Sequence, residues 1–442
     1  MLLLTVGVVA IVIFIIISLQ FGLWPALTLA LLSALILLPR RLTNNSAVQN
    51  AGLAGSEPEL YTYSLVLIAA AVFLIANRAS PIPRHFIPFA VLASIGALTL
   101  WQSSSYIQAG LLQLALGFLA WSLGSHVSRL SMPGSSFEKV LGLSIVVIIS
   151  IQTVVCLAQL AGLPIFALEE STAALMGSRV NGTMNHPNNL GKVLLFLIIL
   201  LTPLMRSEVR QIRRISLAGV LLAFVPMALT GGRATFIAAL IVVILTGLLS
   251  RGVKGRFAVP IGVLLLVLPF IDSMWQRFED DPEGGSRGYL TDIALNQIAL
   301  HPWIGIGPNS YVSVVGLSDA LTASGLPVHN TFLLATAELG IPIATALFLP
   351  LFGILVTAWR ARSSFGQIGA HARTYVAAAP AWLLVAATGW GMLSGSIFPL
   401  WMFTLGFIAG PLRKTISATA PANNYSAAKL QPDFRNTSGY LK

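Results

Sequence analysis

Residues 272–330 read DSMWQRFEDDPEGGSRGYLTDIALNQIALHPWIGIGPNSYVSVVGLSDALTASGLPVHN and form the longest stretch outside the apolar runs of the chain. Apolar runs of roughly 16 to 20 residues lie on both sides of it. Irregular backbone cannot face lipid, so a polar stretch with many Gly and Pro residues between such runs is where a membrane protein holds water and charge. The stretch therefore predicts a functional excursion from a helical membrane domain.

The composition defines the class of protein. Of the 442 residues, 56% are hydrophobic and only 9% are charged, whereas a soluble domain has about 25% charged residues. We predict an all-α, polytopic integral membrane protein, with one membrane domain at 1–414 and a disordered cytoplasmic tail at 415–442. The net charge of +11 resides in short basic loops, which indicates membrane topology and no nucleic-acid partner.

About 12 or 13 apolar runs qualify as candidate spans, several of them short for a bilayer crossing. The first has no basic n-region or cleavage site, so we expect a retained span rather than a signal peptide. Cys156 is the only cysteine, which excludes an intramolecular disulfide and predicts a small core residue. The runs are 2–19, 23–38, 61–76, 86–101, 107–123, 140–160, 190–204, 215–229, 234–249, 257–271, 342–356, 376–390 and 397–408.

Clusters of basic residues predict which loops in the second half of the chain face the cytoplasm. By the positive-inside rule, the loops near 206–214, 251–256, 360–373 and 413–414 face the cytoplasm. The loop at 161–189, the turn at 230–233 and the stretch 272–330 then face outward. These outward regions contain Arg179, Arg233 and Arg287, although the positive-inside rule places most basic residues on the cytoplasmic side. Snorkelling or a salt bridge explains one such arginine, but three beside Gly- and Asn-rich turns favour an anion site. Because of Arg40 and Arg41, the side of the membrane on which the N-terminus lies stays open.

Residues 178–189, SRVNGTMNHPNN, run directly into the apolar run at 190–204. We expect Asn188 or Asn189 to cap that helix and leave its N-terminal amides available to an anion such as phosphate. The alternative is that the Asn side chains only satisfy the backbone of the turn. His186 precedes a proline and is assigned to loop structure.

Residues 230–235, TGGRAT, form a tight outward turn, with Arg233 at the start of the next helix. A guanidinium there can bind phosphate oxygens in bidentate fashion. Headgroup snorkelling is the competing explanation.

Ser286 is expected to cap a helix that Pro302 ends, because Leu290, Ala294 and Ile298 lie near one face. Arg287 falls in its first turn, where the helix dipole disfavours a cation, and this hints at an outside anion. The sequence GIGPN at 305–309 lacks the features of a nucleotide loop. We predict a structural turn there.

His329 precedes a run, 330–339, that is too short to span and is separated from the next segment by Gly340 and Pro342. This pattern predicts a half-helix with His329 at its N-terminal end. A neutral imidazole can take a proton from a hydroxyl, which the arginines cannot do. The alternative is a histidine that caps a helix at the interface. The acidic group at 279–283 lacks a calcium-loop pattern and no zinc-type spacing occurs, so neither a metal nor a cofactor is predicted.

Taken together, these motifs resemble the bacterial O-antigen ligase and O-antigen polymerase superfamily. The carrying residues span about 179–342: Asn-Gly-Thr followed by His186 and Asn188, the Thr-Gly-Gly-Arg turn at Arg233, the Arg287 helix leading to His-Pro-Trp-Ile-Gly-Ile-Gly, and His329-Asn330 followed by Glu-Leu-Gly. The resemblance implies about 12 transmembrane helices, a long extracytoplasmic loop with short helices, and a location in the bacterial inner membrane with the site facing the periplasm or cell exterior.

The resemblance also implies the reaction. Such metal-independent glycosyltransferases pass a glycan from undecaprenyl diphosphate to the hydroxyl of a lipid A core sugar, in the ligase branch, or of another lipid-linked glycan, in the polymerase branch. Membrane lipids and other polysaccharide-assembly proteins are the implied partners. We assign Arg233, Arg287 and Arg179 to the diphosphate and His329 to the acceptor hydroxyl, with Asn330, His186 and Asn188 in support. A transporter or flippase of lipid-linked oligosaccharide is the alternative, and a purely structural membrane protein is the third hypothesis.

Overall fold

A computed structural model describes residues 14–38, 60–99, 101, 104–131, 134–168, 179–250, 258–267 and 285–412. Their regular secondary structure is helical, which confirms the predicted all-α class. Predictions on residues 2–13 of the run 2–19, on Arg40 and Arg41, on the basic residues at 251–256 and 413–414, on residues 272–284 with their acidic group at 279–283, and on the tail lie outside the described residues.

Sixteen α-helices follow one another along the described parts of the chain. The first ten are α1 (Leu23–Ile36), α2 (Thr62–Ala76), α3 (Ile87–Thr99), α4 (Ser105–Leu130), α5 (Ser136–Leu160), α6 (Pro187–Leu204), α7 (Arg210–Leu229), α8 (Arg233–Leu248), α9 (Ala258–Val267) and α10 (Arg287–Leu300). The rest are α11 (Tyr311–Val315), α12 (Ala320–Ala323), α13 (Thr331–Leu339), α14 (Ile341–Ala361), α15 (Gly366–Thr388) and α16 (Ile397–Ala409).

Among the described residues, five helices are long and apolar enough to cross a membrane: α4, α5, α6, α7 and α14. Shorter apolar helices include α1, α2 and α8. The multi-pass character predicted from the sequence is thus supported, whereas the number of about 12 spans stays a prediction.

Several helices extend beyond the apolar runs that predicted them. The run at 107–123 lies within α4 and the run at 215–229 within α7, and α15 begins at Gly366, ten residues before the run at 376–390. The reason is that helical hydrogen bonds continue through the polar flanks of a span, whereas hydropathy detects only its apolar middle. The predicted starts of these helices were therefore too late.

Two helices form the centre of the bundle. Every residue of α16 is buried, as are nearly all residues of α6. Glycines bring α16 close to α4, because a Cβ at Gly124 or Gly406 would overlap the carbonyl oxygen of Phe403 or Trp121. Backbones at this distance gain van der Waals contacts that lipid cannot supply. Cys156 is free and fully buried, as predicted.

Polar contacts tie the loops together at one end of the bundle, where α6 ends and α7 begins. The side chain of Arg206 donates to Ser250 after α8, and Ser207 donates to Glu138 on α5 at 2.7 Å. Gln367 on α15 donates to the carbonyl of Ser131. This end contains the described members of the predicted cytoplasmic clusters.

The stretch 301–311 is held to α13 by backbone hydrogen bonds. The N–H groups of Ile306 and Gly307 donate to the carbonyls of Ala337 and Glu338 at 3.1 and 2.8 Å. The N–H of Ile341 donates to the carbonyl of Pro302 at 2.8 Å. The prediction that 305–309 forms a structural turn is therefore confirmed.

A buried carboxylate completes this attachment. Glu338 is 2% exposed, and its Oε1 accepts from the N–H of Tyr311 at 3.1 Å, at the start of α11. Burial raises the pKa of Glu338 to about 8, while the backbone N–H groups of Asn309, Ser310 and Tyr311 oppose the rise by binding its charged form. Glu338 thus serves the fold of this segment.

Substitution of Gly305 tests the attachment of the 301–311 stretch to α13. Its φ is +65°, and a Cβ there would overlap the backbone of Glu338. We expect Gly305→Ala to lower the free energy of unfolding by about 2 to 4 kcal/mol, from backbone strain and displaced hydrogen bonds. Thermal unfolding in detergent measures this. Gly353→Ala is the matched control, since a Cβ there meets no atom within 4 Å. An equal effect of both substitutions would contradict the attachment.

Candidate functional site

The N-terminus of α6 lies at the opposite end of the bundle from Arg206. The helix begins at Pro187, and His186 is its N-cap, with Nδ1 accepting the N–H of Asn188 at 3.0 Å. The prediction that Asn188 or Asn189 caps this helix was therefore wrong, whereas His186 has extended backbone outside the helix, as predicted, and also caps it. Proline at the first helical position places the cap one residue before it. Burial, followed by the charges of Arg179 and Lys192, lowers the pKa of His186 to about 4.

Arg179 joins two of the predicted constellations. Its Nε donates to the carbonyl of Thr230 at 2.6 Å, and its Nη2 donates to Oδ1 of Asn188. The start of α6 thereby meets the turn at 230–233. Arg233, the first residue of α8, is half-buried at this junction. The structure thus brings together Arg179, Asn188 and the turn that bears Arg233.

Arg287 and His329 form the second part of the site. Arg287 is the first residue of α10 and is exposed. Ser286 is the N-cap residue as predicted, but its side chain makes no capping hydrogen bond. Helix α10 packs on α13 through the buried Ala294.

His329 lies directly before α13, the predicted half-helix, which Gly340 separates from α14. Oδ1 of Asn330 caps α13 by accepting from the N–H groups of Phe332 and Leu333 at 2.9 and 3.2 Å. Asn330 therefore fixes the backbone that positions His329.

The electrostatics keep the His329 imidazole neutral. Burial lowers its pKa below the usual value, the charges of Arg287 and Lys192 lower it further, and the carbonyl of Pro327 partly offsets them. Its buried Nδ1 has no hydrogen-bond partner among the described residues. A neutral imidazole is the form that general-base catalysis needs.

Lys192 links the two parts of the site, and sequence reasoning missed it. It lies on α6 and is 7% exposed, and its charge lowers the pKa of both His186 and His329. The connection between α15 and α16 passes beside it, since Gly391 is in contact with its Nζ. The same connection accepts a hydrogen bond from Thr331 through the carbonyl of Gly389. The sequence signal that could have identified Lys192 is its position as a charged residue inside an otherwise apolar run.

This arrangement combines fixed cations with one neutral base. Arginines and a lysine stabilise phosphate oxygens, while His329 can accept a proton. The described residues include no group of three or more His, Cys, Asp or Glu side chains placed to hold a metal ion.

The capping role of His186 can be separated from a chemical one. We expect His186→Ala to destabilise the protein by about 1 kcal/mol, because an N–H of α6 loses its acceptor, whereas His186→Asn restores the cap. Unfolding midpoints and transfer rates are compared for both variants. A stable His186→Asn variant without activity would show that the imidazole does more than cap the helix.

Comparison with known protein families matches part of the chain. Residues 218–349 match the family described as O-antigen ligase, a range that includes Arg233, Arg287 and His329. A comparison with curated proteins finds no matching relative. The resemblance drawn from the sequence is confirmed over this range, and the match supports membership of the chain in the O-antigen ligase superfamily of membrane glycosyltransferases.

Proposed function

We propose that this protein transfers a glycan from undecaprenyl diphosphate to an acceptor hydroxyl during the assembly of a surface polysaccharide. One observation carries the proposal: contacts and charge interactions connect Arg179, Lys192, Arg287 and the neutral His329 at one end of the helix bundle. A diphosphate leaving group needs such cations, and an acceptor hydroxyl needs such a base.

In the proposed reaction, the acceptor oxygen attacks the anomeric carbon of the donor glycan. His329 takes the hydroxyl proton as the new glycosidic bond forms. The bond between the anomeric carbon and the diphosphate oxygen breaks, and its electron pair stays on the undecaprenyl diphosphate. Arg233 and Arg287, with Arg179, stabilise the charge that develops there, which is the interaction that accelerates the reaction.

The membrane domain, proposed at 1–414, would hold the polyprenyl chain among its apolar helices. On α5, Leu143, Val147, Ile151 and Val154 are exposed at helical spacing. A stripe of this kind suits contact with acyl chains. The stretch 272–330 and the site would then face the periplasm or cell exterior of a bacterial inner membrane.

The position of the charges favours an enzyme over a transporter of lipid-linked oligosaccharide. Arg233 and Arg287 are the first residues of their helices, and Lys192 is only the sixth residue of α6. A transporter needs a charged site near the bilayer midplane that opens to both sides. Arg233, Arg287 and Lys192 lie near one end of their helices instead.

The deciding experiment supplies purified protein in detergent with a polyprenyl-diphosphate glycan. Lipid A core and further lipid-linked glycan are offered as acceptors in separate reactions, and products are separated on a gel. Glycan on lipid A identifies a ligase, and a ladder on the polyprenyl carrier identifies a polymerase. Folded protein that gives no product with either acceptor contradicts the proposal.

A further inference from the structure

The ammonium group of Lys192 is buried with little to balance it. Its Nζ donates to Oδ1 of Asn189 at 3.1 Å, and Nδ2 of Asn189 donates to Asn185 at 3.0 Å. This amide is neutral, and no carboxylate pairs with Lys192 among the described residues. An ammonium has three donors, so two are left for a ligand.

A buried charge of this kind is unfavourable without an anion. Burial removes hydration from the ammonium, and a single neutral acceptor does not replace it. Lys192 is close enough to both histidines of the site for its charge to lower the pKa of His186 and of His329.

Gly391 makes room for the ammonium. It belongs to the connection between α15 and α16, and a Cβ there would overlap Nζ of Lys192. The backbone of this connection therefore forms one wall around the charge. A side chain at this position would displace the ammonium.

We propose that Lys192 binds the diphosphate of the polyprenyl donor from the membrane side, as a buried cation that complements the arginines at the helix ends. The inference rests on the proposed function and adds a binding residue to that site. The ligand class is a polyprenyl diphosphate, and the same contact would hold the carrier after the glycan has left. A phospholipid headgroup is the other source of phosphate, and the test separates the two.

The test measures binding of farnesyl diphosphate to the purified full-length protein, with phosphatidylglycerol as the comparison ligand. Lys192→Met keeps the length of the side chain and removes its charge. We expect its dissociation constant for farnesyl diphosphate to rise about tenfold or more. Lys139→Met is the matched control, because Lys139 is exposed at the opposite end of the bundle. Equal binding by wild type and Lys192→Met overturns the inference, as does equally strong binding of phosphatidylglycerol.

Stability without ligand provides a readout that a structural lysine would not share. We expect Lys192→Met to unfold at the same or a higher temperature than wild type, because a buried charge has been removed, and to lose the stabilisation by farnesyl diphosphate. A lower unfolding temperature with unchanged stabilisation by the ligand would assign Lys192 to structure.

Gly391→Ala tests the inference with the charge retained. We expect it to weaken farnesyl diphosphate binding by displacing the ammonium. Gly389→Ala is expected to bind normally, since a Cβ there is 3.6 Å from the nearest carbonyl oxygen. Equal effects of both substitutions would contradict the inference. Binding through Lys192 without glycan transfer would refute the proposed function alone, whereas transfer with unaltered binding by Lys192→Met would refute only this inference.

Discussion

Replacement of His329 by alanine is expected to reduce glycan transfer by at least about 100-fold while the protein still inserts and folds, because general-base catalysis contributes this much or more. The side chain is only partly buried and lies before α13 rather than within it, so its removal leaves the cap by Asn330 intact. Transfer rates at saturating donor, together with unfolding midpoints, measure the effect. His301→Ala is the control, since His301 is exposed in the same segment.

The pH profile adds a second check on His329. Burial, followed by the charges of Arg287 and Lys192, lowers the pKa of His329 from its ordinary value, so the neutral form that accepts a proton is lost only as the pH falls through the lowered pKa. We expect an acid limb with its midpoint below the ordinary pKa of histidine and no corresponding loss as the pH rises. A rate that is independent of pH from about 4 to 7, or a His329→Ala variant with full activity, would show that His329 is not the general base.

Arg233 and Arg287 are expected to act on the same anion. Removal of either charge by substitution with alanine should slow transfer by about 100-fold or more, the usual cost of one lost contact to a developing charge. The double variant should lose much less than the product of the two single effects, because residues that act as a unit are not additive. A double-mutant cycle on the second-order rate constant gives the coupling energy.

Arg214→Ala serves as the control for the arginine series, because Arg214 is exposed at the opposite end of the bundle. Its transfer rate should equal that of wild type. Strictly multiplicative effects of the Arg233 and Arg287 substitutions would place the two guanidinium groups on different ligands, and normal activity in both would remove them from the site.

The elements that the sequence predicted well carry strong local signals. Helix α10 was predicted from Arg287 to about Leu300, because Ser286 and Pro302 mark its ends and its apolar residues share one face. The half-helix α13 was recognised from its short length and from Gly340, whose φ is +78°. Such signals act within a few residues and do not depend on the rest of the fold.

The parts that the sequence did not predict depend on distant contacts. His186 is an unusual N-cap, and only the position of Pro187 argued for it. Arg179 bonds to Thr230, 51 residues away, and the indole of Trp101 bonds to the carbonyl of Ile304, 203 residues away. Lys192 contacts Gly391 in the connection between α15 and α16, far away in the sequence.

The attachment of the 301–311 segment to α13 also sets an order of events during synthesis. Ile306 and Gly307 take their acceptors from Ala337 and Glu338, and Tyr311 donates to the Glu338 carboxylate. These partners leave the ribosome about 30 residues later, which is seconds at usual elongation rates. Until these partners are made, the hydrogen bonds of the 301–311 segment stay unmade, and the segment closes only when α13 is available to it. With the outward orientation proposed above, the segment would be translocated in this open form, and α13 would then fix it beside His329.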